Sequence, residues 1–104
     1  MPNGKLGAVD IAAAVNTTIY TAPALTTGTV TVSMVNRGAA GTLVRLALAS
    51  TAAPTAAEWL EYDQYLPSAG VLERSAIVVG PGQYLVGYSS VGSTSAVAFG
   101  FEEQ

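Results

Sequence analysis

The chain has 104 residues, enough for one hydrophobic core and too few for two. It contains neither cysteine nor histidine, which excludes disulfide frameworks, thiolate nucleophiles, histidine general bases and zinc sites built from nitrogen or sulfur. Lys5, Arg37, Arg45 and Arg74 are the only cationic side chains against seven carboxylates, and a net charge of −3 argues against a nucleic-acid partner.

Alternation of apolar and polar residues runs through most of the chain and predicts strands. Residues 6–13 and 17–21 carry the weaker patterns, with Asn16 as a turn residue between them. Pro23 ends the second, because proline cannot donate to an interior ladder. Residues 28–37 alternate cleanly, with Val30, Val32 and Met34 on one side and Thr29, Thr31 and Ser33 on the other. Residues 42–50 place Val44, Leu46 and Leu48 inward and Leu43, Arg45, Ala47 and Ala49 opposite. The connection Gly38-Ala39-Ala40-Gly41 has the length and composition of a hairpin loop, which predicts that these two segments are adjacent strands.

Residues 51–58 differ: their alanines favour helix, and Thr55-Ala56-Ala57-Glu58 has the spacing of a capping box. Pro54 limits any helix to about one turn. Residues 59–66 read as extended up to Pro67, and residues 71–79 as a strand ended by Gly80-Pro81-Gly82. Residues 83–89 put Tyr84, Val86 and Tyr88 on one face. After a turn at residues 90–94, residues 95–102 put Val97, Phe99 and Phe101 on one face and Ala96, Ala98 and Gly100 on the other. About eight short strands without repeat or linker predict one all-β domain over residues 1–104, a small antiparallel β-sandwich or jelly-roll-like fold, with a barrel as the other closure.

The opening segment from Met1 to Gly7 has no apolar stretch of the kind found in secretion signals, and no apolar run approaches the roughly 18 residues of a membrane-spanning helix, so no membrane partner is expected. Charged residues make up 11% of the chain, against about 25% in an ordinary domain. Such a surface invites self-association, and one explanation is that copies of the chain or other subunits cover it. The other is a small β domain that uses Thr and Ser as its exterior.

Acidic and aromatic residues concentrate at Glu58-Trp59-Leu60-Glu61-Tyr62-Asp63-Gln64-Tyr65. On a regular strand Trp59, Glu61, Asp63 and Tyr65 share a face, with Glu61 and Asp63 about 7 Å apart. That separation suits the paired carboxylates of a glycoside hydrolase. Catalytic pairs usually come from different elements lining a cleft, however, and solvated charges with aromatic packing at a subunit contact explain the same residues more simply. Calcium-loop spacing is absent, so no metal or other cofactor is expected. The scarce arginines suit inter-subunit or cross-strand ion pairs with members of Glu58, Glu61, Asp63 and Glu73, or else exposed pairs worth about 0–1 kcal/mol. The candidate interface is therefore Arg37, Arg45, Arg74, Glu61, Asp63, Trp59, Tyr62 and Tyr65. No phosphate-cradling glycine spacing or serine–histidine pairing occurs, and no catalytic residue is assigned.

Several segments together resemble small structural proteins of tailed bacteriophages. They are Asn3-Gly4-Lys5-Leu6-Gly7-Ala8-Val9-Asp10, Asn16-Thr17-Thr18-Ile19-Tyr20-Thr21, Val35-Asn36-Arg37 and Val44-Arg45-Leu46-Ala47-Leu48-Ala49, then Glu61-Tyr62-Asp63, Gly70-Val71-Leu72-Glu73-Arg74 and Gly100-Phe101-Glu102. The resemblance spans nearly the whole chain. It implies a virion component made in the host cytoplasm and transfers no catalytic or metal residue. The expectation is a non-enzymatic capsid decoration or cement subunit that self-associates, as a closed trimer, and binds the major capsid protein through apolar and β-edge contacts. A tail fibre, collar or baseplate module bound to tail proteins is one alternative. A carbohydrate-binding host-recognition module using Trp59, Tyr62 or Tyr65 is the other.

Overall fold

The structure, a computed structural model, describes residues 3–104; Met1 and Pro2, which begin the opening segment, lie outside the described residues. Eight strands occur among the described residues: β1 (Asn3–Ile11), β2 (Thr17–Thr21), β3 (Thr27–Asn36), β4 (Thr42–Ala49), β5 (Trp59–Leu66), β6 (Val71–Val79), β7 (Tyr84–Ser89) and β8 (Thr94–Glu103). β1 pairs with β8, β2 with β7, β3 with β6 and β4 with β5, all antiparallel. The chain is thus one long hairpin with its tip at residues 50–58. Rolled up, successive pairs fall alternately into a first sheet, β1-β8-β3-β6, and a second, β2-β7-β4-β5. This is the strand order of a jelly roll, closed inside each sheet by the β3–β8 and β4–β7 ladders.

The alternation places the core. Val30, Val32 and Met34 point inward from the first sheet, and Val44, Leu46 and Leu85 from the second, with Ile11, Ile19, Ile77 and Val79 filling the same cluster. Each fully buried aliphatic side chain of this kind contributes roughly 1.5–3 kcal/mol. On β8 the residues facing the core are Ala96 and Ala98, so the larger Phe99 and Phe101 face out. Tyr20 crosses between the sheets and its hydroxyl donates to the buried Glu102 carboxylate at 2.5 Å. Gly28 makes room for it: a Cβ there would lie 2.5 Å from the Tyr20 oxygen.

Two expectations are corrected. Segments β3 and β4 are not neighbours; they lie in different sheets, and residues 37–41 arch from one to the other. The anchor is the buried Asn36, whose Nδ2 donates to the carbonyls of Ala40 at 2.8 Å, Leu66 at 3.1 Å and Pro67 at 3.2 Å, while its Oδ1 accepts from the Gly38 N–H at 2.9 Å. One side chain thereby ties the β3–β4 arch to the β5–β6 arch. Nor is there a helical turn at residues 55–58. The Glu58 carboxylate accepts from the N–H groups of Thr55 at 2.8 Å and Ser50 at 3.0 Å, so the reciprocal half of the capping box forms around a tight turn alone.

At the arch end a hydroxyl network joins the sheets. Ser89 Oγ is 2.5 Å from the Val91 carbonyl, 2.8 Å from Thr42 Oγ1 and 2.9 Å from Thr94 Oγ1. A carbonyl can only accept, so Ser89 spends its proton there, and Thr42 and Thr94 both donate to Ser89. Ser90 must then donate to Thr42 at 3.1 Å. Every buried side-chain polar atom among the described residues has a partner.

Candidate functional site

The local geometry of β5 decides where the acidic-aromatic residues go. Leu46 pairs with Glu61 and Val44 with Gln64, so Tyr62 and Asp63 both stand opposite Arg45, and Asp63 has φ = 54°. This β-bulge ends the alternation. The expected shared face of Trp59, Glu61, Asp63 and Tyr65 is therefore broken. Glu61 keeps company with the inward Leu46, while Trp59 and Tyr62 meet edge to face on the outside, centroids 5.4 Å apart at 70°.

Arg45 completes this outer cluster. Its guanidinium carbon lies 4.1 Å from the Tyr62 ring centroid, 4.3 Å from that of Tyr88 and 5.9 Å from that of Trp59. Its Nε donates to Asp63 Oδ1 at 2.6 Å, and that bond raises the guanidinium pKa further above its ordinary value. A weakly hydrated, planar guanidinium suits a place beside two rings better than an ammonium does. Alongside, Ala47, Ala49 and Val86 are fully buried although they point away from the core, because Trp59 and Tyr84 pack over them. An open recess of about 270 Å³ remains, lined by Ala56, Trp59 and Tyr62. Tyr65 stays apart, over Gly41 at the far end of β5.

The other arginines are also paired within the chain. Arg74 bonds Glu61 at 2.6 Å, joining β6 of one sheet to β5 of the other. Both residues pair with inward-facing neighbours, Val32 and Leu46, so this ion pair closes the side of the sandwich where the sheet edges face each other. Arg37 bonds Asp10 at 2.6 Å in a largely exposed pair worth about 0–1 kcal/mol. Asp10 was not among the expected partners. Of those that were, Glu58 bonds backbone instead, and Glu73 has no ion-pair partner among the described residues. Glu61 and Asp63 are thus held by separate arginines and do not converge on one recess.

The outer face of the first sheet is a second candidate, and sequence reasoning did not single it out. Register builds it row by row: Asn3, Phe101, Thr29 and Val78; then Lys5, Phe99 and Thr31; then Ala8, Val97, Ser33 and Glu73; then Asp10, Ser95, Val35 and Val71. Phe99 is 39%, Phe101 45%, Val78 56% and Val71 57% exposed, an apolar surface that none of the described residues covers. Lys5 and Glu73 stand at its opposite rims without ion-pair partners among the described residues. The signal was present in residues 95–102, where the larger side chains alternate with alanine and glycine.

The edges differ from the faces. Register shifts interrupt β1 between Lys5 and Gly7, β2 between Thr18 and Tyr20, β5 at Tyr62 and Asp63, and β6 where Ala76 takes φ = 59°. The inner β3–β8 and β4–β7 ladders run without a shift. Bulged edges oppose the addition of a further strand. Among the described residues there is no cluster of three or more side chains suited to a metal ion. No family model, curated protein or solved structure matches the chain.

Proposed function

We propose that this protein is a non-enzymatic structural subunit whose first-sheet face is covered by neighbours in an assembly. The observation that carries this reading is the bare row set around Phe99, Phe101, Val71 and Val78 on a chain with few charges. Exposed apolar surface of this kind marks contact surfaces. The bulged edges direct the contact to the face and away from strand addition. The resemblance to tailed-phage structural proteins supplies the setting, a virion, with the capsid exterior as the leading location and the tail as the alternative.

Two measurements test it. Light scattering on the purified chain is expected to give a mass above that of a monomer, reduced by Phe99→Ser. Cryo-electron microscopy of the particle is expected to show density for the chain on the capsid exterior. Density confined to the tail moves the subunit there, and a particle without the chain overturns the virion setting.

The edge-to-face pair of Trp59 and Tyr62 beside the recess supports a second reading, a saccharide stacked on Trp59. Binding on a glycan array that Tyr62→Ala abolishes would establish it; an array without binding removes it.

A further inference from the structure

The geometry points to a two-fold contact between two copies of this chain through the outer face of the first sheet. This inference rests on the assembly reading above and specifies its partner.

Over three successive rows the face is divided lengthwise, and the fourth, Val35 beside Ser95, reverses the sizes. β8 presents large side chains, Val97, Phe99 and Phe101, and the adjacent β3 presents small ones, Thr29, Thr31 and Ser33. A two-fold axis lying in the interface along the seam between β8 and β3 sets each copy's β8 over the other's β3. Large side chains then fill the low ground over the small ones on both halves, the self-complementarity that an isologous contact requires. The same operation sets β1 of each copy over β6 of the other.

Those two edge strands carry Lys5 and Glu73; the other charge on the face without an ion-pair partner among the described residues, Glu103, stands at the end of β8 opposite Thr27, beyond the Phe101 row. Lys5 stands in the Phe99 row and Glu73 in the next, beside Ser33. The one-row offset is roughly 7 Å, which the length of a lysine side chain and the rotation between packed sheets span. Each Lys5 therefore meets Glu73 of the other copy, twice per pair, around an apolar centre. The opposite rims of one monomer hold complementary charges because they become neighbours across the axis. The bulges in β1 and β6 discourage edge-to-edge addition at the same place, leaving face-to-face packing as the open route.

A charge-reversal cycle on the full chain, read by sedimentation equilibrium, tests this. The wild type is expected to be a dimer. Lys5→Glu or Glu73→Lys alone places like charges opposite each other twice and is expected to raise the dissociation constant about tenfold. The double variant is expected to return it to within about threefold of wild type, since both pairs are restored with reversed sign. Phe99→Ser is expected to give a monomer with an unchanged circular dichroism spectrum. If the two reversals simply add, the charged side chains do not meet and the two-fold arrangement is overturned, while a dimer lost on Phe99→Ser keeps the face as a contact. A trimer, or a wild-type monomer at every concentration, overturns the two-fold pair outright; the assembly reading then stands or falls on the particle density.

Discussion

The two outer faces of the sandwich come from the same kind of alternating sequence and differ in their middles, although Leu43, Tyr62 and Tyr65 leave the second face partly exposed as well. On the second sheet, Ala47, Ala49 and Val86 are sealed beneath Trp59 and Tyr84, and Arg45 is clamped between Tyr62 and Tyr88. On the first, Phe99, Phe101, Val71 and Val78 meet solvent directly. The difference begins with the strands themselves: Trp59 of β5 and Tyr84 of β7 lie over the small residues of their own face. Residues 50–58, the tip of the long hairpin, are held to β4 by the Leu48 N–H bonding the Glu58 carbonyl at 3.1 Å, which brings Ala56 beside Trp59 and Tyr62. A sheet face becomes interior or surface according to what the chain lays over it, and among the described residues only the second face has part of its area covered from within.

The hardest test of that contrast is a charge placed under each face. Ala47→Asp buries a carboxylate without a partner and is expected to cost about 3 kcal/mol or more in urea unfolding. Thr31→Asp, at the centre of the first-sheet face, is expected to cost about 1 kcal/mol or less in the monomer and to abolish self-association. Equal destabilisation by both would mean that the first face is covered too. Truncating the large aromatics repeats the test more gently. Trp59→Ala is expected to lose roughly 2 kcal/mol of stability because it opens the minor cluster, and Phe99→Ala roughly 1 kcal/mol while weakening association.

Strands were the legible part of the fold, because side-chain alternation is a local property of the backbone. The segments at residues 17–21, 59–66 and 71–79 coincide with β2, β5 and β6, and the all-β sandwich follows from them. Pairing was not legible. A short glycine-bearing link fits a hairpin and an arch between sheets equally well, and what selects the arch is the set of carbonyls that Asn36 gathers from segments some thirty residues away. The arginine–carboxylate pairs were half legible. Charge scarcity pointed to the three arginines with members of Glu58, Glu61, Asp63 and Glu73, of which Asp63 and Glu61 do pair, but the bulge at Asp63 depends on accommodating two residues opposite one on β4. The bare face escaped notice for a related reason: the alternation on β8 sorts large from small side chains and does not say which set faces the core.

Titration probes the seam between the sheets and the loop beside the second face. Burial, and then the Glu102 carboxylate, push the Tyr20 phenol well above its ordinary value of 10.0. The native state therefore holds this proton more tightly than the unfolded chain does. The associated stability is complete below about pH 10 and falls as pH rises toward the native value. Denaturant melts of the wild type above pH 10 are expected to weaken more steeply with pH than those of Tyr20→Phe. Equal slopes would place the hydroxyl outside the seam between the sheets.

The smallest effect concerns the loop beside Trp59. Hydrogen bonds from the backbone N–H groups of Thr55 and Ser50 lower the Glu58 pKa from its ordinary value of 4.5. A carboxyl held more acidic in the native state stabilises it above the ordinary value, and that contribution is lost as pH falls through the lowered one. Acid should therefore loosen residues 50–58 before it disturbs either sheet. Amide exchange is expected to speed up at Ser50 and Thr55 as Glu58 protonates, with Trp59 fluorescence changing in step, while the β3–β8 amides beneath the bare face stay protected. In Glu58→Gln the charge is gone at every pH, so Ser50 and Thr55 should exchange fast throughout and the acid step should vanish. If acid instead released the β3–β8 amides first, the Glu58 carboxylate would not be what holds residues 50–58 in place.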